Sequence, residues 1–251
     1  MRRLLTQKAH GSRLDISVLA CSKGAEVYSI LWAIRSARPD LKLTTHAVDI
    51  SQEILEFAER GVYSRNGSDV SQAPEHESIA ARGDVNWNTC RDQTGSIFER
   101  MTEEEMQEMF EVEGDQARVR PWLKEGIIWL RGDAGDPELA GVLGPQDMVV
   151  ANRFLCHMEP AAAEACLRNI GRLVRPGGYL FVSGIDLDVR TRVAREMGWK
   201  PVTDMMREVH EGDVSLRNGW PLEYWGLEPF DDGRPDWTIR YASVFQIGET
   251  A

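Results

Sequence analysis

Residues 16–49 read ISVLACSKGAEVYSILWAIRSARPDLKLTTHAVD. A short apolar run, Ile16 to Ala20, enters a turn of small residues, Cys21-Ser22-Lys23-Gly24. The next segment places apolar residues at Val27, Ile30, Leu31 and Ile34, the spacing of one helix face. Pro39 and Asp40 close that helix, and a β-like run from Leu43 to Val48 ends on Asp49. Strand, tight turn, helix, strand and acid, in that order, make the first half of a nucleotide-binding α/β sheet.

Each part has a physical task. The turn offers backbone N–H groups at a helix N-terminus, and Gly24, lacking a side chain, lets a ligand approach closely. An acid at the end of the second strand can accept hydrogen bonds from both hydroxyls of a ribose. The pyrophosphate fingerprint G-x-G-x-x-G is absent, which disfavours a dinucleotide. One glycine, a carboxylate near the turn (Glu26) and one at the ribose position (Asp49) suit a nucleoside with a small charged tail. The competing reading takes Asp49 as a solvated residue after a buried strand.

The run Ala20-Cys21-Ser22-Lys23-Gly24-Ala25-Glu26-Val27-Tyr28-Ser29-Ile30 resembles the cofactor motif of the CheR-type chemotaxis-receptor methyltransferases, whose pattern is close to G-C-S-T-G-E-E-P-Y-S-I. Further similarities follow in family order, at Ala47 to Ile50, Leu55 to Ala58, Gly61 to Tyr63, Met101 to Phe110, Val119 to Pro121 and Ile127 to Leu130. Asp147 to Arg153 and Arg175 to Phe181 complete the series.

The resemblance implies a class I S-adenosylmethionine-dependent methyltransferase. Its α/β fold would be a Rossmann-like, mostly parallel seven-stranded sheet flanked by helices, with an insertion after the second strand. Residues 1–251 would form a single domain, with 64–126 as an insertion or subdomain. The implied cofactor contacts are Ala20, Cys21, Ser22, Gly24, Glu26, Asp49, Ile50, Asp133, Ala134, Asn152 and Arg153. Asp133 would accept from the adenine amine and the Ala134 N–H would donate to the ring. The family's Arg-Asn pair is inverted here to Asn152-Arg153, and its downstream Tyr is replaced by His157. Arg153 and His157 are the catalytic candidates, and no metal is expected. The N-terminal helical domain of the receptor enzymes is missing from residues 1–15, which read as short and polar, so the substrate differs or a partner completes the site.

Composition narrows the partners. With 40 acidic against 29 basic residues, the net charge is −11, which argues against a nucleic-acid phosphate track or an anionic membrane surface. No apolar run approaches bilayer length, and the Met-Arg-Arg-Leu-Leu start lacks a signal-peptide core. Cys21, Cys90, Cys156 and Cys166 show no CxxC spacing, which suits free thiols in a reducing cytoplasm. The oligomeric state is not legible.

Residues 64–97 are polar and without periodicity, a surface excursion carrying His76, Trp87 and Cys90, or a lid over the site. Thr102 is placed to cap a helix whose Met106, Met109 and Phe110 form a core stripe. Ile127 to Leu130 and Met148 to Ala151 read as further strands. Pro160 opens a helix ended by Pro176-Gly177-Gly178, before a fifth strand from Tyr179 to Ser183. Asp188 to Met197 reads as helical and Trp237 to Ile247 as an alternating terminal strand. The aromatic run Asn218 to Pro229 would plug the sheet or wall a pocket. His46 reads as a core histidine and His210 as a solvated one.

Methyl transfer from a sulfonium is an in-line displacement. A carboxylate acceptor is already ionised and needs an orienting cation, for which Arg153 serves. A hydroxyl must lose a proton, for which a histidine such as His157 serves. The leading expectation is O-methylation of a small-molecule or protein carboxylate or hydroxyl. The alternative is a non-catalytic or partner-dependent subunit that binds the cofactor.

Overall fold

The computed structural model describes residues 1–65, 97–98, 101–212 and 227–248. Helix α1 (Arg2–Gln7) precedes strand β1 (Arg13–Leu19), helix α2 (Ala25–Ala37), strand β2 (Lys42–Asp49) and helix α3 (Gln52–Arg60). Then come β3 (Val62–Ser64), α4 (Glu103–Met109), β4 (Phe110–Glu113), β5 (Gln116–Val119), α5 (Pro121–Lys124) and β6 (Ile127–Arg131). The remainder runs α6 (Leu139–Leu143), β7 (Gln146–Asn152), α7 (Pro160–Leu173), β8 (Val174–Ser183), α8 (Leu187–Glu196), β9 (Lys200–Pro201), α9 (Met206–Glu211) and β10 (Val244–Gln246).

Seven strands form one sheet in the order β6-β2-β1-β7-β8-β10-β9. The pairings from β6 to β8 are parallel, and β10 lies antiparallel to both β8 and β9. The sheet is mostly parallel, as the sequence predicts. Its chain order reverses beside β1, where β2 lies on one side and β7 on the other, so the β1 and β7 exits flank a crevice at the carboxyl edge. A second, antiparallel sheet of β3, β5 and β4 shares the core on the α2 side of the main sheet.

Both faces of the main sheet are covered, which explains the continuous apolar runs of its inner strands. Along β7, Met148 and Val150 enter the core that contains Val27, Leu31 and Ile34 of α2. Val149 and Ala151 enter the opposite core, with Leu167 and Ile170 of α7 and Val193 of α8. The helix starts follow local chemistry. Ser51 Oγ accepts from the Ile54 N–H at the head of α3. Thr102 and Glu105 form a reciprocal capping box at α4, and Met106, Met109 and Phe110 behind it are buried.

Four expectations are corrected. Residues 1–15 are not merely a polar lead-in: Leu4, Leu5 and Leu14 are buried, and the Arg38 guanidinium holds the carbonyls of Leu5 and Lys8. The fifth parallel strand begins at Val174 rather than Tyr179, and Pro176-Gly177-Gly178 lies within it at a break in register with β7. The final segment is not one long strand. Trp237–Arg240 is a helical turn that presents Arg240 to ion pairs with Glu228 and Asp188, and only Val244–Gln246 is extended.

His210, expected to be solvated, is buried instead. Its Nε2 lies 2.6 Å from the Glu228 carbonyl oxygen, and its ring packs on Phe230 and Tyr241. His46 sits half-buried within β2. His76, Trp87, Cys90 and residues 218–226 of the aromatic run lie outside the described residues. Among the described residues no helix is long and apolar enough to cross a membrane.

Candidate functional site

The loop leaving β1 is bent by residues that resist the bend. Ala20 has φ 50° and Ser22 φ 48°, both in the left-handed region that non-glycine residues rarely occupy, and Gly24 follows at φ 81°. Arg153, just past β7, has φ 57°. Three of the four non-glycine residues with positive φ among the described residues therefore gather at one end of the sheet. Such strain, of order 1–3 kcal/mol each, persists where surrounding contacts impose it.

Those contacts can be named. The Cys21 N–H donates to the Val48 carbonyl across 3.0 Å, and the Ser22 N–H donates to Asp49 Oδ2 across 2.9 Å. Asp49 Oδ1 accepts from the Ser51 N–H at 3.1 Å, and its backbone carbonyl accepts from the Gly132 N–H at 2.9 Å. Asp49 thus joins the exits of β1, β2 and β6. Gly24 is needed for packing as well as for its φ, since a Cβ there would lie 2.9 Å from Ala58 Cβ and 3.1 Å from the Trp129 ring. From below, the Tyr63 hydroxyl donates to the Lys23 carbonyl across 2.7 Å, fastening the small sheet to the loop.

The second constellation joins β7 to α2. Asn152 Nδ2 donates to Glu26 Oε1 across 2.6 Å, and Ser183 Oγ donates to Asn152 Oδ1 across 2.9 Å. Burial pushes the Glu26 carboxyl above its ordinary value, while the Asn152 hydrogen bond and the Arg153 charge act the other way. Arg153 is itself clamped: its N–H donates to the Ser183 carbonyl at 2.9 Å, and a Cβ on Gly184 would come within 2.7 Å of Arg153 Cα. Sequence reading missed Ser183 and Gly184, because their roles exist only once β8 pairs with β7, where Ser183 lies opposite Asn152.

The remaining candidates are less concentrated. Ile50 is 48% exposed beside Asp49. Asp133 turns toward its own loop, its Oδ1 accepting from the Gly135 N–H at 2.8 Å, and Ala134 is buried. His157 ends a 3-10 turn, Leu155–His157, and burial lowers its pKa, leaving the ring neutral at pH 7. Burial and the Asp49 charge push the Cys21 thiol up to about 12, which keeps it protonated at neutral pH. Among the described residues no group of three or more His, Cys, Asp or Glu could hold a metal ion.

The acceptor chemistry suits a nucleoside carrying a cationic tail. Each Asp49 oxygen holds one backbone N–H and keeps a further lone pair for a ribose hydroxyl. Glu26 supplies a second carboxylate at the first turn of α2.

Residues 1–92 match the family described as "CheR methyltransferase, SAM binding domain". The chain is 27% identical over 196 residues to an uncharacterised 104.1 kDa protein of Rhodobacter capsulatus, covering 75% of this chain and 17% of that one. It is 23% identical over 211 residues to the probable biofilm formation methyltransferase WspC of Pseudomonas aeruginosa, covering 82% of this chain and 42% of WspC. The chain thus spans less than half the length of either relative. The N-methyltransferase NodS of Bradyrhizobium japonicum, solved with S-adenosylhomocysteine, superposes with a TM-score of 0.41 at 13% identity, covering 80% of this chain and 72% of NodS. The chain is thus similar to the CheR-type methyltransferases, whose S-adenosylmethionine-binding domain its first 92 residues match.

Proposed function

We propose that the chain transfers the methyl group of S-adenosylmethionine to an oxygen of a small-molecule or protein acceptor, a carboxylate or a hydroxyl. The observation that carries this reading is the meeting, at one sheet edge, of Asp49 on the strained β1 loop with the Glu26–Asn152 pair.

When bound, S-adenosylmethionine supplies an electrophilic methyl carbon on a sulfonium. The chain's part is largely positional, and orientation can contribute roughly 7–11 kcal/mol in favourable cases. Asp49 would hold the ribose and Glu26 the cationic tail. Arg153, its backbone held by Ser183 and Gly184, would orient an acceptor carboxylate toward that carbon. For a hydroxyl acceptor, a ring nitrogen of His157 would take the proton, and its neutral state at pH 7 equips it to do so.

The test is calorimetric titration with S-adenosylhomocysteine, followed by a screen of carboxylate and hydroxyl acceptors with labelled methyl donor. Saturable binding and label in an ester or ether support the reading. Binding without transfer to any oxygen acceptor refutes O-methylation and leaves cofactor binding alone.

A further inference from the structure

Ser183 stands next to neither the β1 loop nor Asp49, and nothing in the cofactor motif points to it. It lies opposite Asn152 where β7 and β8 pair. Its hydroxyl donates to Asn152 Oδ1 at 2.9 Å, and its carbonyl accepts the Arg153 N–H at 2.9 Å.

Both ends of the Asn152 amide are engaged. A side-chain amide has one accepting end and one donating end, and its neighbours decide which way it faces. Glu26, when ionised, can only accept, so it needs the NH2 end of Asn152. The carboxylate thereby selects the amide's direction, and the Ser183 hydroxyl, donating to Oδ1 from the far side, anchors the amide in place. Without it, the amide loses its anchor on that side and can swing away from the Glu26 carboxylate. Burial already raises the Glu26 pKa, so removing its best donor would favour the neutral acid, a poorer partner for an ammonium group.

We propose that Ser183 is a positioning residue for recognition of the cofactor's amino-acid tail. It orders the relay Ser183–Asn152–Glu26 so that Glu26 meets the tail as an aligned carboxylate. The inference rests on the cofactor reading above and assigns it a specificity element on a strand outside the matched first 92 residues.

The experiment compares two probes by calorimetry: S-adenosylhomocysteine, and 5′-methylthioadenosine, which keeps the nucleoside and thioether but has no amino-acid tail. In Ser183→Ala, affinity for S-adenosylhomocysteine should fall about three- to tenfold, as expected for one net hydrogen bond, with 5′-methylthioadenosine binding unchanged. Ser183→Thr, which keeps the hydroxyl, should restore the loss. An equal fall for both probes would mean that Ser183 only supports the fold, and no fall for either would mean that Asn152 needs no orientation; each overturns the proposal. Wild-type protein that binds neither probe would instead overturn the cofactor reading, and this proposal with it.

Discussion

The Ser22 N–H points at Asp49 Oδ2, 2.9 Å away, so the loop after β1 is held by the acid that ends β2. That acid is buried and also accepts from the Ser51 N–H. Asp49→Ala should therefore do two things. Loss of the shared acceptor removes one hydrogen bond from each of two part-buried N–H groups, with an expected cost of about 1–3 kcal/mol in urea unfolding. Binding of S-adenosylhomocysteine should weaken at the same time. A variant that is destabilised but binds as tightly as wild type would show that Asp49 holds the loop and not a ribose.

Gly24 and Gly114 separate backbone strain from crowding. Both have positive φ, +81° and +60°, but a Cβ at Gly114 meets nothing within 4 Å. Gly114→Ala should cost only the left-handed penalty, about 1–2 kcal/mol. Gly24→Ala should cost a further 1–3 kcal/mol or so, because Ala58 and Trp129 must move. Thermal unfolding of the two variants measures the difference, and equal losses would refute the crowding.

His157 sets a pH dependence whose sign can be worked out. Burial lowers its pKa below 6.5, so the folded protein keeps the ring neutral through that value, while an unfolded chain would protonate there. Its contribution to stability is full above 6.5 and is lost as pH falls below it toward the folded pKa. With a hydroxyl acceptor, kcat should decline only in that lower range, and His157→Asn should remove this limb and slow turnover roughly 10²–10⁴-fold. With a carboxylate acceptor the variant should retain most of its rate. A pH–rate profile of both proteins decides between the acceptors.

Glu228 gives an independent acid limb far from the reaction. Hydrogen bonds from Arg240 and the Tyr241 hydroxyl hold its carboxyl down at about 2, against an ordinary 4.5. A depressed acid stabilises the fold above its unfolded pKa, and that support drains away as pH falls from 4.5 toward 2. In Glu228→Gln, stability followed by far-UV circular dichroism should be lower at pH 7 and should fall less steeply through this window. A parallel decline in both proteins would show that the pair contributes nothing.

The sequence was most legible where the determinants are local. The turn at Cys21-Ser22-Lys23-Gly24, the acid at Asp49 and the Thr102 cap each depend on neighbours a few residues away, and each stands where it was expected. Asn152 and Glu26 were both candidates, yet their direct bond spans 126 positions and could not be read. Ser183 escaped notice for the same reason. At Trp237 to Ile247 the alternation suggested a strand throughout, but the chain coils at Trp237–Arg240, where Arg240 meets the distant Glu228 and Asp188, before it extends. His210 looked solvated because its edge-to-face partners, Phe230 and Tyr241, come from a later part of the chain.

The bond from the Tyr63 hydroxyl to the Lys23 carbonyl also has a mechanical meaning. Tyr63 belongs to the three-stranded sheet, while Lys23 belongs to the strained bend. A rotation of the small sheet must either break this tether or pull on the bend, whose backbone has little slack left. A shift of the small sheet would therefore reach the strained loop through the Tyr63 phenol.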